Sequence, residues 1–257
     1  HLNKTGIMKF TRVSNNELRA ILNNACEAFI SHKNDFEETA STILWLETYD
    51  FSGIDMFLNY LDQHSEYNYL QPKIIDSEQA SLIIDGKDES HIFNAHLITD
   101  IACTLFKQNE KDGFAIINSK NPEALVPKLI ESKLFKNYLS INWMDENYLS
   151  YLFYRNENGS NLIIYKTVSE LNEKYVNTVV INNKNDHKNN ENEIFKLNDL
   201  NKIKIINRIQ PEHFWSIKEQ KLMDGFYMES TKLNKLSSIA NNVLVESSEK
   251  SRLGAGE

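Results

Sequence analysis

The candidate side chains for chemistry in this chain are His64, His91 and Asp55 for proton transfer and the run Asn118-Ser119-Lys120 for ligand binding. Imidazole changes charge near neutral pH, so His64 and His91 are the candidate bases, with Asp55 as the carboxylate candidate. His64 follows Phe57 by seven residues, the same face two turns on if a helix continues. A solvent-facing histidine in Gln-His-Ser-Glu-Tyr is the competing reading. Asn118, Ser119 and Lys120 close an apolar run that reads as a buried strand, and ligands commonly meet α/β sheets at such carboxyl edges. Ser119 and Lys120 there suit a phosphate or a carboxylate; an ordinary strand-to-helix loop is the competing reading.

Other chemistries have weaker footing. His91 and His96 are five residues apart, a spacing that does not bring two imidazoles together. No metal site is expected. Neither G-x-G-x-x-G nor G-x-x-x-x-G-K-[ST] occurs, and with 8 glycines a phosphate-cradling glycine loop is disfavoured. Cys26 and Cys103 lie in apolar helical surroundings and read as small buried hydrophobes. The net charge of −8 supplies no basic field for a phosphate backbone, so nucleic acid and anionic membrane are not expected partners. No apolar run approaches a membrane span, and cytoplasmic residence is the default expectation.

These residues need a scaffold, and 257 residues at 41% hydrophobic content can bury a substantial core. His1 to Ile7, ahead of Met8, read as vector remnant. Ser14 and Glu17 form a capping box, predicting a helix over 15–31; a second is expected over 36–48, and a third, capped by Asp55, to Leu61. From Pro72 the period changes to short β-branched runs, PKIIDS and ASLIID, closed by a turn at 85–88. A helix over 94–108, the strand FAIIN, a helix over 124–133 and the strand LSINWM follow. Asn158-Gly159, between NYLSYLFYR and NLIIYK, is a strong hairpin signal. YVNTVVIN and KIKIIN add strands, while the Asn-rich 182–193 is too polar to pack. Pro211 starts a helix to Met223, Thr231 caps one to Asn242, and the SSEKSRLGAGE tail reads as flexible. Tyr148, Tyr151, Phe153 and Tyr154 mix both strand faces, and Trp143 and Trp215 read as core or interface anchors. Three sections result: a helical segment over 8–70, an α/β section over 71–230, and a C-terminal helix and tail over 231–257.

The first half resembles the malate/L-lactate dehydrogenase family, which also contains ureidoglycolate, sulfolactate and diketogulonate reductases. Val13, Glu17 and Leu18 match its opening V-x-x-x-E-L, and Asp50, Gly53, Ile54 and Asp55 match the turn before I-D-S-H-G. Met56, Phe57 and Leu58 then replace Ser, His and Gly, so Phe57 stands where that family carries its catalytic histidine. Ala80, Leu82, Ile84, Asp85 and Gly86 match an A-x-x-I-D-G strand and turn. Asn118 and Ser119 match N-S-N-H, with Asn121 in place of its histidine, and 243–252 is similar to the closing segment without its Pro-Gly.

The resemblance implies a mixed sheet flanked by helices, non-Rossmann and malate/lactate dehydrogenase-like, with an N-terminal helical segment. It also implies a homodimer, NAD(P) as cofactor, a small keto or imino acid as ligand, cofactor binding by Asn118, Ser119 and Lys120, and Phe57 in the substrate pocket. A phenyl ring can stack or fill space but cannot donate a proton, and losing a placed general acid removes about two to four orders of magnitude in rate. The site is therefore expected to be rebuilt. The alternative is a non-catalytic homodimeric binding or assembly protein, and a third reading is an enzyme of another class using His64 or His91 as base.

Overall fold

A computed structural model describes residues 9–30, 33–64, 67, 71–76, 82–109, 113–132, 139–145, 149–156, 158–167, 178–182 and 203–253. The chain divides into two compact units, one of residues 1–67 with 216–257, the other of residues 68–215.

The first unit joins the two ends of the chain. β1 (Phe10–Val13) pairs antiparallel with β10 (Phe226–Glu229), placing Val13 opposite Phe226. α1 (Asn15–Phe29) starts where the capping box predicts, the Ser14 hydroxyl accepting the Glu17 N–H at 3.2 Å. Its buried stripe of Leu18, Leu22, Ala25 and Cys26 has helical spacing, and the helix packs against α2 (Lys33–Thr48) and α7 (Ser230–Leu253). α3 (Gly53–Gln63) follows α2 and buries Ile54, Phe57 and Leu58. Burying one such large apolar side chain contributes about 1.5–3 kcal/mol, so these stripes hold the helices together.

Two local devices finish this unit. Arg12 donates to the carbonyls of Met223 (3.2 Å) and Asp224, the last turn of the helix Pro211–Asp224 (α6). Gly225 then takes φ +75°, its N–H reaching the Lys221 carbonyl at 3.0 Å. A side chain on Gly225 would put its Cβ 2.4 Å from the Val13 carbonyl oxygen, so glycine is required where α6 gives way to β10.

The second unit is an eight-stranded mixed sheet in the order β2-β3-β4-β8-β5-β6-β7-β9. Its strands are β2 (Lys73–Asp76), β3 (Leu82–Asp85), β4 (Gly113–Ile117), β5 (Leu139–Met144), β6 (Ser150–Asn156), β7 (Gly159–Thr167), β8 (Val179–Asn182) and β9 (Ile203–Ile209). Among the described strands only β3 and β4 run parallel, joined through α4 (His91–Asn109), the right context for a strand-helix-strand unit. A 3-10 turn over Pro122–Ala124 leads into α5 (Leu125–Glu131), which packs on α4. The core is formed by Leu82, Ile84, Ile116, Ile141, Leu152 and Ile163, with Ile92, Phe93 and Ile98 from α4, all buried. Trp143 and Tyr151 lie directly opposite on β5 and β6 and stack with ring centres 5.3 Å apart.

Several expectations need correction. Ser52, not Asp55, occupies the position before α3; Asp55 lies inside its first turn and pairs with Lys232 at 2.8 Å. α4 begins three residues earlier than its apolar period suggested, which brings His91 into the helix. Thr231 is not a cap, because α7 starts at Ser230 directly after β10 and continues through the expected flexible segment to Leu253. The β6–β7 hairpin forms, but Gly159 pairs with Asn156 as the first residue of β7. Trp215 is 64% exposed, not core, and Cys103 is only partly buried; no disulfide joins the cysteines among the described residues. Residues 1–7, Tyr148 and 183–193 of the Asn-rich segment lie outside the described residues.

Candidate functional site

β3 and β4 end side by side, Asp85 opposite Ile117, so the two following loops leave one sheet edge together. Backbone bonds join them: Gly86 N–H to the Ile117 carbonyl (2.8 Å), Asp88 N–H to Asn118 (2.9 Å) and His91 N–H to Lys120 (3.0 Å). Gly86 allows this approach, since a Cβ there would lie 2.8 Å from the Asn118 oxygen. Side chains complete the join. Ser90 donates to Asn121 Oδ1 at 2.6 Å, and Asn118 Nδ2 donates to Asp85 Oδ1 at 2.8 Å. Lys87 pairs with the other Asp85 oxygen at 2.6 Å. Hydrogen bonding by Lys87 first, then by Asn118, lowers the Asp85 pKa to about 2. Lys87, Asp88, Asn118 and Asn121 all have φ between 51° and 60°, a left-handed conformation that non-glycine residues adopt only when their surroundings enforce it.

At the centre stands a three-residue hydrogen-bond chain. The first residue of α4, His91, places Nδ1 2.7 Å from Asn94 Oδ1, one helical turn on, and Nε2 2.6 Å from Ser119 Oγ, across the loops. All three side chains are fully covered at 0% exposure. Burial brings the His91 pKa down to about 4, against an opposing hydrogen bond from Asn94, so the ring is neutral at physiological pH. Asn94 Nδ2 is buried with no hydrogen-bond partner among the described residues.

A second polar group follows the same loop. Tyr151 donates to Asp145 Oδ2 at 3.0 Å, and Asp145 Oδ1 accepts the Leu149 N–H at 2.9 Å. Burial foremost, with the Asp145 charge adding, raises the Glu123 pKa to about 7. Burial and Asp145 push the Tyr151 phenol up as well.

The residues singled out from sequence fall into two groups. His91, Asn118, Ser119 and Lys120 meet in the second unit; Asn118 and Lys120 are exposed at the loop surface. Asp55, Phe57 and His64 lie on or just after α3 in the first unit. There Phe57 is 0% exposed, Asp55 is bound to Lys232, and His64 contacts its own helix end at the Tyr60 carbonyl, 3.0 Å away. Asn94, Glu123 and Asp145 were missed. Ser90 ahead of the apolar pair Ile92-Phe93 was the available sign that α4 starts early and sets Asn94 three residues from His91. No group of three or more His, Cys, Asp or Glu side chains among the described residues is placed to hold a metal. No helix among them is long and apolar enough to cross a membrane.

The mixed sheet flanked by helices makes this an α/β protein of non-Rossmann type, and comparison with solved structures specifies the fold further. It is malate/lactate dehydrogenase-like. Malate dehydrogenase from Pyrococcus horikoshii OT3 superposes with a TM-score of 0.59 at 11% identity, covering 94% of this chain and 99% of that one. Sulfolactate dehydrogenase from Methanocaldococcus jannaschii gives 0.58 at 12%, covering 91% and 97%. A dehydrogenase from Sinorhizobium meliloti gives 0.56 at 8%, covering 90% and 100%. No family model and no curated protein matches the sequence.

Proposed function

We propose that this chain is an oxidoreductase-like protein with a rebuilt site, binding a small keto or imino acid and NAD(P)H through the loops after β3 and β4. The observation that carries this reading is the position of Lys120, an exposed ammonium with no side-chain partner among the described residues, at the carboxyl edge of the parallel pair. In a chain of net charge −8 it is suited to hold a carboxylate or one phosphate. Asn118 flanks it at the loop surface, and the two would hold the cofactor's anionic portion, with Ser119 buried against His91 beneath them; the nicotinamide, when bound, would supply hydride. The family resemblance adds homodimerisation, and of the acid-base candidates His64, His91 and Asp55, His91 is the one beside these loops.

A direct test is a thermal-shift titration of the full chain with NADH and NADPH, followed by keto and imino acids in wild type and Lys120→Ala. A ligand at 100 times its Kd stabilises by about 2.7 kcal/mol, and the variant is expected to lose most of the shift from acids. Unchanged acid affinity in Lys120→Ala removes the anion role, and no response to either nucleotide at millimolar concentration removes the cofactor.

One observation favours a non-catalytic homodimeric binding or assembly protein instead. Both positions that carry histidines in the resembled family have structural partners here: Phe57 is buried at 0% exposure and Asn121 is bound by Ser90. Wild-type chain that dimerises yet binds neither nucleotide nor acid fits that reading.

A further inference from the structure

The outer face of the β1–β10 ribbon lies open, and much of it is apolar. Thr11 and Val13 share the inner face with Met228 and Phe226; Phe10, Arg12, Tyr227 and Glu229 alternate with them on the outer one. Phe10 is 56% exposed and Tyr227 68%. Arg12 carries this surface onto the end of α6, whose last carbonyls it holds, and there Leu222 is 55% and Met223 80% exposed. Single exposed apolar side chains are ordinary; four joined in one patch are not. At roughly 150–250 Å² for a covered aromatic ring, these four offer on the order of 500 Å², a size that marks a functional surface on a single chain. A two-stranded ribbon is marginal by itself, so whatever covers this face also steadies it.

The register of the ribbon points to what covers it. Phe10 stands opposite Glu229 and Arg12 opposite Tyr227, so the two rings occupy one pair of diagonal corners and the two opposite charges the other. Under a two-fold axis lying in the interface along the Phe10–Tyr227 diagonal, this face is its own complement: ring meets ring, and each Arg12 meets the partner's Glu229. A partner of one charge sign would instead set Arg12 or Glu229 against its like. We propose that the outer ribbon face and the end of α6 are where two copies of this chain pair. This rests on the homodimer named in both readings above and gives it a surface. Phe, Tyr, Met and Arg are the residue types enriched at interfaces. A stable pair needs about 800 Å² from each copy, of which the apolar patch supplies more than half and the charged corners and polar rim the remainder.

Sedimentation equilibrium on the full chain tests this. Wild type is expected to sediment as a pair, and Tyr227→Asp, which buries a charge at the centre of the interface, to weaken pairing at least about thirtyfold. Arg12→Glu and Glu229→Arg should each weaken it as well, because like charges then meet across the axis. Mixed in equal amounts, those two variants should recover a hetero-pair, since every crossing contact again joins opposite signs; a fold damaged by loss of the Arg12 contact to α6 would not be rescued in this way. Undiminished pairing in all three variants overturns this surface and leaves the homodimer standing. Weakened single variants with no recovery on mixing overturn the two-fold placement. A wild-type chain that stays single at about 100 times the micromolar Kd of a weak pair overturns the homodimer and the surface together.

Discussion

Titrating His91 is the most quantitative probe of the loop junction. The ring binds its proton near pH 4 in the folded chain and near 6.5 when unfolded, a difference of about 3 kcal/mol. Above pH 6.5 neither state holds the proton and the contribution is whole. Between 6.5 and 4 only the unfolded chain takes it up, so stability falls as pH falls; below 4 both are protonated and nothing more is lost. From pH 7 to 4.5 the expected loss is about 2 kcal/mol. Urea unfolding of wild type and His91→Gln at both pH values isolates this part, because every other titrating group is common to the two proteins. Wild type should lose about 2 kcal/mol more than the variant. Parallel losses, or an NMR titration of His91 centred near 6.5, would refute the buried neutral ring.

Glu123 runs the opposite way. Its folded pKa of about 7 lies above the ordinary 4.5, so stability falls as pH rises between those values, and Glu123→Gln should gain on wild type at pH 8 relative to pH 5. An equal difference in Tm at the two pH values would remove the raised carboxyl pKa. Gly225→Ala introduces a Cβ 2.4 Å from the Val13 oxygen at φ +75° and should destabilise by about 1–3 kcal/mol, read from urea midpoints; a neutral result would mean that β1 and β10 are not held as described. Phe57→Ala empties a fully buried site and should lower stability by about 3–5 kcal/mol in the same assay. A loss under 1 kcal/mol would show that the ring is not core.

Local signals carried much of this fold. The Ser14–Glu17 box, the β3–α4–β4 alternation and the β6–β7 hairpin each rest on residues close in sequence, where periodicity and turn chemistry act directly. The β1–β10 ribbon was not legible: four residues at each end, FTRV and FYME, become strands only through pairing more than 200 positions apart. The site divides the same way. Asn118, Ser119 and Lys120 were readable as a strand end. What His91 does was hidden, because its contact with Ser119 spans 28 positions and its contact with Asn94 depends on where α4 starts.

The place of β8 has a consequence for how the chain is made. It lies between β4 and β5, antiparallel to both, and among the described strands it joins β2-β3-β4 to β5-β6-β7-β9. Yet it comes from residues 179–182, after both of its neighbours have been synthesised. On the ribosome, the β3–α4–β4 piece and the β5–β6–β7 meander emerge first and must wait with facing edges unpaired. At about 5–20 residues per second that interval lasts seconds. Nascent chains stalled before residue 179 should therefore expose sticky strand edges, and those stalled well beyond 182 should not.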